Sequence, residues 1–255
     1  MAAGNSSALS PSAAQFAEDG FQVLPIDGIQ DRLKRVRDES FAIFDFIRYS
    51  WDKKRVTSDL DVLEFCRENQ PRQYQAVKLG YHMPSLYGIV DHAPLIAALK
   101  TLGVRHPILD LEPQLRCDMP IRNQSVFKQH QDWSYNIGSK NAVTAWIPLQ
   151  DTSLEEGAPR IAPGSHKDGI YPHDKGVILD RYRFNFIACP VRFGEVLIFD
   201  QKIVHESGVN TSDKIRFSVQ IRYSDLRDAE YASRGWPRNH VRESRGFAAA
   251  TILSD

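Results

Sequence analysis

His130 and Asp132 stand two residues apart in this chain, with His205 and Arg216 further along. On a strand, side chains two residues apart project to the same face. A second histidine from a distant strand can then complete a three-ligand set on one side of a metal. Two imidazoles and one carboxylate leave coordination positions open, the arrangement suited to non-heme Fe(II) used with O2. An arginine on the strand after the second histidine can hold a dicarboxylate by paired N–H···O bonds. Taken alone, a His-x-Asp pair is a weak signal, because it arises by chance and often serves only as a hydrogen-bonding pair.

The elements that must position these residues divide the chain in two. Asp19-Gly20 marks a turn into a short strand through Phe21, Val23 and Pro25. Ile29, Leu33, Val36, Phe44, Ile47 and Trp51 recur at three- and four-residue steps, with Ser40 in the one gap. That period predicts one long amphipathic helix. Ser58 or Asp59 can cap a second helix carrying Leu60, Leu63 and Cys66. A third is expected from Pro71 to Leu79, with Gly80 after its end, and a fourth between Pro94 and Gly103. From Ile108 onward short apolar runs alternate with turn clusters: 143–149, 186–191, 195–199 and 217–223. Many short strands without intervening helices predict an α+β protein with a jelly-roll, cupin-like double-stranded β-helix core, its N-terminal helices packed on one sheet.

Composition narrows the function classes. The 255 residues are 42% hydrophobic and 25% charged, enough for one domain with a full core. Thirty-two basic residues balance thirty-two acidic ones, so neither a nucleic-acid partner nor an electrostatic membrane anchor is expected. Cys66, Cys117 and Cys189 are widely spaced and odd in number, which argues against a disulfide framework and for a reducing compartment. Residues 1–14, rich in Ala, Ser and Gly, lack the basic start and apolar segment of a secretory signal and read as a disordered tail. No apolar run approaches the roughly 20 residues that span a bilayer. A soluble, cytoplasmic protein with a small-molecule substrate is the expectation. The domain is expected to run from 15 to 223, and 224–255 to form a tail that serves as lid or interface.

The neighbourhood of the histidines adds specificity. Trp146 lies on the strand after the His-x-Asp motif, Pro163-Gly164-Ser165-His166 forms a tight turn, and Gly194-Glu195-Val196-Leu197-Ile198-Phe199 leads into His205, followed by Arg216. With the opening Phe16-Ala17-Glu18-Asp19-Gly20-Phe21, this ordered set resembles the phytanoyl-CoA dioxygenase-like family of Fe(II)/2-oxoglutarate oxygenases over most of the chain. The resemblance implies iron ligation by His130, Asp132 and His205. It implies that Arg216, assisted by Ser207, takes the distal carboxylate of 2-oxoglutarate, and that Gln131 and Trp146 line the co-substrate pocket. A further polar contact from upstream would come from Gln114, Arg116 or Lys128. The chemistry implied is O2-dependent hydroxylation of a substrate C–H bond, with 2-oxoglutarate converted to succinate and CO2. Asp132 favours hydroxylation over halogenation, because related halogenases carry a small residue in its place.

Trp133, Tyr135 and Asn136, just past the motif, and Arg222, on the strand of Arg216, are candidates for substrate contact; core packing and a surface salt bridge are the competing accounts. His166 and His173 read as a turn residue and a solvated residue. Two alternatives stand beside the oxygenase: a cupin-type metalloenzyme that does not use 2-oxoglutarate, and a non-catalytic barrel that binds a metabolite. The first would bring more histidines together and has no need of Arg216; the second usually lacks a ligand.

Overall fold

The computed structural model describes residues 12–120, 127–136 and 138–233. Most of the expected N-terminal tail, and the C-terminal segment from 234 on, lie outside the described residues. Residues 13 and 14, assigned to that tail, instead open α1 (Ala13–Asp19), where Ser12 accepts a capping bond from the Gln15 amide. Gly20 ends it with φ of 81°, the left-handed conformation that favours glycine.

Strand β1 (Phe21–Pro25) precedes the long helix α2 (Gln30–Asp52). Ser40 is fully buried there and returns its hydroxyl to the Val36 carbonyl at 2.7 Å, which is how a polar residue fills the apolar stripe. Ser58, with Asp61, forms a reciprocal capping box at the start of α3 (Asp59–Glu68). Asn69 caps α4 (Gln70–Gly80). Gly80 lies inside that helix, not after it, and a Cβ there would come 2.6 Å from Leu115, so glycine lets the helix approach the sheet. The sequence reading passed over α5 (Pro84–Val90), a helix of seven residues, too short for a clear period. The last helix before the barrel is α6 (Ala93–Thr101).

The remaining strands are β2 (Pro107–Leu109), β3 (Gln114–Asp118), β4 (Val143–Pro148), β5 (Arg160–Ile161), β6 (His173–Asp174), β7 (Val177–Ile178), β8 (Ile187–Ala188), β9 (Glu195–Asp200), β10 (His205–Glu206) and β11 (Arg216–Asp225). A short helix, α7 (Ala229–Ser233), follows. The major sheet runs β1-β9-β4-β11, and the free edge of β11 pairs with β3 along one half and β2 along the other, all antiparallel. Opposite it, β10-β5-β8 forms a smaller sheet. His130 bridges both His205 and Val177, joining the β6–β7 hairpin to that sheet. The whole is an α+β double-stranded β-helix of cupin type.

Alternation along the major sheet separates packing from chemistry. Leu115 and Cys117 of β3, Val143, Ala145 and Ile147 of β4, Val196 and Ile198 of β9, and Phe217, Val219 and Ile221 of β11 join one core with the helices. The intervening residues point between the sheets. Trp146, Leu197 and Phe199 meet Ile161, Val191 and Ile203 there in a second apolar cluster. Arg116, Asp118, Arg216, Gln220 and Arg222 line the open part of the same space. Phe217 is fully buried on the helix side, with its ring 5.8 Å from Phe44 and 5.9 Å from Phe41. Phe217→Ala should cost about 3–5 kcal/mol of stability in urea unfolding; a loss under about 1 kcal/mol would refute this packing scheme.

Candidate active site

Backbone pairing brings the two histidines together. The His130 amide donates to the His205 carbonyl at 2.9 Å, and the His205 amide donates back at 3.0 Å. The rings lie side by side with centroids 4.1 Å apart. Each Nδ1 faces a carbonyl two residues earlier, Lys128 at 2.7 Å and Ile203 at 3.1 Å. Only an N–H can make that contact, so the proton sits on Nδ1 and each Nε2 presents a lone pair. Both Nε2 atoms lie 3.9 Å from Asp132 Oδ1. Among the described residues these three buried side chains form a group whose ligand atoms all fall within 4.8 Å of one another.

The route to this geometry differs from a plain strand. His130 sits at a bridge position, and Asp132 opens a 3-10 turn that ends at Ser134. The Asp132 carboxylate is then fixed from the major sheet. Oδ2 accepts from Thr144 Oγ1 at 2.6 Å and Arg222 Nε at 3.0 Å, while Oδ1 accepts from Arg222 at 3.1 Å. Burial opposes ionisation of Asp132, but the Arg222 guanidinium outweighs it and holds the carboxyl well below the usual range. Burial, with His205 alongside, pushes His130 down to about 3, and burial also lowers His205. Near neutral pH the cluster is therefore one carboxylate with two neutral imidazoles, the protonation states that bind a metal.

A cavity of about 260 Å³ opens beside the cluster, and Ser207, Trp146, Tyr135, Asn136 and Arg216 reach it. Arg216 is buried, donating to Asp118 Oδ2 at 2.9 Å and to the Gly157 carbonyl. Arg116 donates to the other oxygen of Asp118, also at 2.9 Å. Burial raises the Asp118 carboxyl, but the two arginines overcome this and lower it. Among the described residues, Arg216 Nε and Ser218 Oγ, on the same strand face, are buried without a hydrogen-bond partner.

Several expected residues sit elsewhere. Gln131 is fully buried and points away from the cavity, because the neighbour of a site-facing strand residue takes the opposite face. Its amide donates to the Gly169 carbonyl at 2.8 Å and accepts from the Tyr171 amide. The 3-10 turn swings Trp133 out of the cavity, under the Lys202 ammonium at 4.9 Å from the ring centre. Of the three upstream candidates, Gln114 and Arg116 line the cavity; the exposed Lys128 does not. Arg222 is engaged with Asp132, Gln114 and Gln220 instead of standing free for a substrate anion. His166 lies against α1, its ring 3.2 Å from the Ala17 carbonyl. Asn136 donates to Asp110, which also accepts from Tyr231 of α7. Thr144 and Asp118 were not foreseen; their alternation with apolar neighbours marked their face, but Asp132, which Thr144 holds, and Arg216, which Asp118 answers, come from distant parts of the chain.

Fold and site together define a cupin-like barrel with a two-histidine, one-carboxylate centre. The profile of the phytanoyl-CoA dioxygenase (PhyH) family matches residues 27–218, and the chain belongs to that family. It is similar to the phytanoyl-CoA dioxygenase of Arabidopsis thaliana, 24% identical over 190 residues, covering 66% of this chain and 63% of that protein. The chain thus spans just under two thirds of that relative's length. Among solved structures it is similar to the non-heme monooxygenase ThoJ in its apo form, with a TM-score of 0.62, 22% identity, and 84% and 77% of the two chains covered. The epimerase SnoN from nogalamycin biosynthesis, in complex with Fe3+, alpha ketoglutarate and nogalamycin RO, gives 0.58, 18%, 84% and 82%. At these identities the structural likeness speaks to the fold.

Buried neutral imidazoles make the metal-free protein acid-sensitive. Their folded pKa values lie below the ordinary value of about 6.5, so the unfolded chain gains protons first as pH falls, and stability declines below about 6.5. Asp200 and Glu206, whose carboxyls burial pushes up, act in the opposite sense. Urea unfolding between pH 7.5 and 5 should therefore show a shallower decline for His130→Gln than for the wild type. Identical slopes would contradict a neutral, buried His130.

Proposed function

We propose that this protein is an Fe(II)- and 2-oxoglutarate-dependent dioxygenase that hydroxylates a C–H bond of a small polar or anionic metabolite. The observation that carries the reading is the meeting of two imidazole Nε2 atoms and one carboxylate oxygen at the edge of a cavity that also holds Arg216. That donor set fits a ferrous ion with open positions. His130, Asp132 and His205 would hold it, and with 2-oxoglutarate bound it supplies oxidation by O2 coupled to release of succinate and CO2.

The chain's own groups then bind, orient and neutralise. Among the described residues, Arg216, on the cavity wall, keeps a buried Nε–H without a partner, and next to it on the strand face Ser218 a buried hydroxyl. Such groups are costly unless a ligand satisfies them, which supports an acceptor seated against β11. Two arginines around one aspartate leave a net positive charge for the distal carboxylate of 2-oxoglutarate. In this reading Arg216 takes that carboxylate, with Ser207 and Trp146 beside it. Arg116 supplies the upstream contact in preference to Gln114, because it shares Asp118 with Arg216. Tyr135 and Asn136, on the cavity wall, read the substrate. The small cavity and its many polar ends favour a compact metabolite over a long acyl chain. An aspartate among the ligands favours hydroxylation over halogenation.

Anaerobic protein given Fe(II) and 2-oxoglutarate should develop a weak visible charge-transfer band. Asp132→Ala should lose the band and all substrate-stimulated succinate release, screened over a metabolite panel. Arg216→Gln should keep metal binding but weaken 2-oxoglutarate binding by about 10- to 100-fold, the worth of a charge-assisted bond. Succinate release that survives Asp132→Ala, or unchanged 2-oxoglutarate affinity in Arg216→Gln, would refute the assignment.

A further inference from the structure

Arg222 makes a two-point fork on a side chain that the metal reading also needs. On β11 it stands in register with Thr144 of β4, on the cavity side. Its Nε donates to Asp132 Oδ2 at 3.0 Å, and a terminal nitrogen donates to Oδ1 at 3.1 Å. Oδ1 is the same oxygen that lies 3.9 Å from each imidazole Nε2. One oxygen is thus claimed both by a guanidinium and by the point where the two histidines meet. The guanidinium has other acceptors within reach, Gln114 at 3.0 Å and Gln220 at 3.2 Å. Thr144 holds Oδ2 independently at 2.6 Å.

We propose that Arg222 is a positioning residue that latches Asp132: it balances the buried carboxylate while no cation is bound, and gives up Oδ1, staying held by the bonds it already makes to Gln114 and Gln220, when the site loads a divalent ion. The inference rests on the metal-centre reading and adds to it a built-in competitor. Both contestants are cations, and in a buried, weakly screened site a guanidinium beside a ligand oxygen opposes a divalent ion at that oxygen. Thr144 keeps the carboxylate oriented after release, so removing Arg222 relieves competition more than it loosens the ligand. Removal also leaves Asp132 buried and unbalanced before metal binds, which widens the difference between metal-free and loaded protein. The linkage is reciprocal: whatever affinity the metal loses to Arg222, Arg222 loses to the metal.

Mn2+ binding measured by calorimetry on the full chain, with thermal unfolding alongside, tests the latch. Arg222→Gln should bind Mn2+ about tenfold tighter than wild type or better, within the ~5–150-fold span of site couplings. Mn2+ should also raise its unfolding temperature by more than it raises that of the wild type. Thr144→Val, which loses orientation but no competing charge, should not tighten binding. Arg222→Lys keeps the charge without the planar fork and covers the case of an unfolded Gln variant; it should bind Mn2+ tighter than wild type, by less than Gln does. Equal or weaker binding in the folded Arg222 variants overturns the latch alone. Absence of Mn2+ binding in wild type and variants alike overturns the metal-centre reading, and the latch with it.

Discussion

The reciprocal pair of backbone bonds between His130 and His205 is the constraint on which the rest of the site depends. A pair that exchanges both amide–carbonyl bonds fixes the two residues opposite one another and sends their side chains to the same side. Everything else adjusts to the two rings. The carbonyls of Lys128 and Ile203 set their tautomers, and the turn after Gln131 brings a carboxylate to them. The major sheet provides the opposing wall. Register links Arg222 to Thr144, and Thr144 to Phe199. The ligand carboxylate is therefore gripped by two adjacent strands of one sheet while its histidine partners belong to the other.

A second constraint is electrostatic. β11 places two largely buried arginines on its inner face, six residues apart. Buried guanidinium groups are tolerated when paired and hydrogen-bonded. Asp118 answers one of them and Asp132 the other. Each carboxylate in turn depends on its arginine to stay ionised against the cost of burial. The inner face of β11 thus carries two ion pairs, one at each end of the cavity wall, with Ser218 and Gln220 between them. Its outer face packs against the helices from Phe217 to Tyr223, whose hydroxyl also donates to the Val90 carbonyl at 3.0 Å.

Much of this was legible in the sequence, and the limits have physical reasons. Periodicity marked α2 and the strands β4, β9 and β11, because those signals span many residues. His130, Asp132 and His205 could be picked out by type and order, and the structure brings the three together. Their local structure could not: a 3-10 turn at Asp132 has no period, so nearness to the motif suggested Trp133 for the cavity, and the family resemblance, not any local signal, suggested Gln131. Two-residue strands such as β5, β8 and β10 exist through tertiary pairing alone, so the run expected at 186–191 shrinks to Ile187–Ala188. Asp118 and Thr144 were hidden for a related reason. Thr144 stands well away from Asp132 in the chain and Asp118 from Arg216, and each gains its role only when β4 meets the turn at Asp132 and β3 is laid beside β11.

The bond from Tyr231 to Asp110, and from Asn136 to that same carboxylate, has a wider consequence. It ties a helix beyond the last strand to Asn136 on the wall of the cavity. Drift in the stretch around Tyr231 can therefore reshape that wall while leaving every ligand untouched. The shape of the cavity is thereby open to change through a peripheral segment, with the cluster of two imidazoles and one carboxylate left intact.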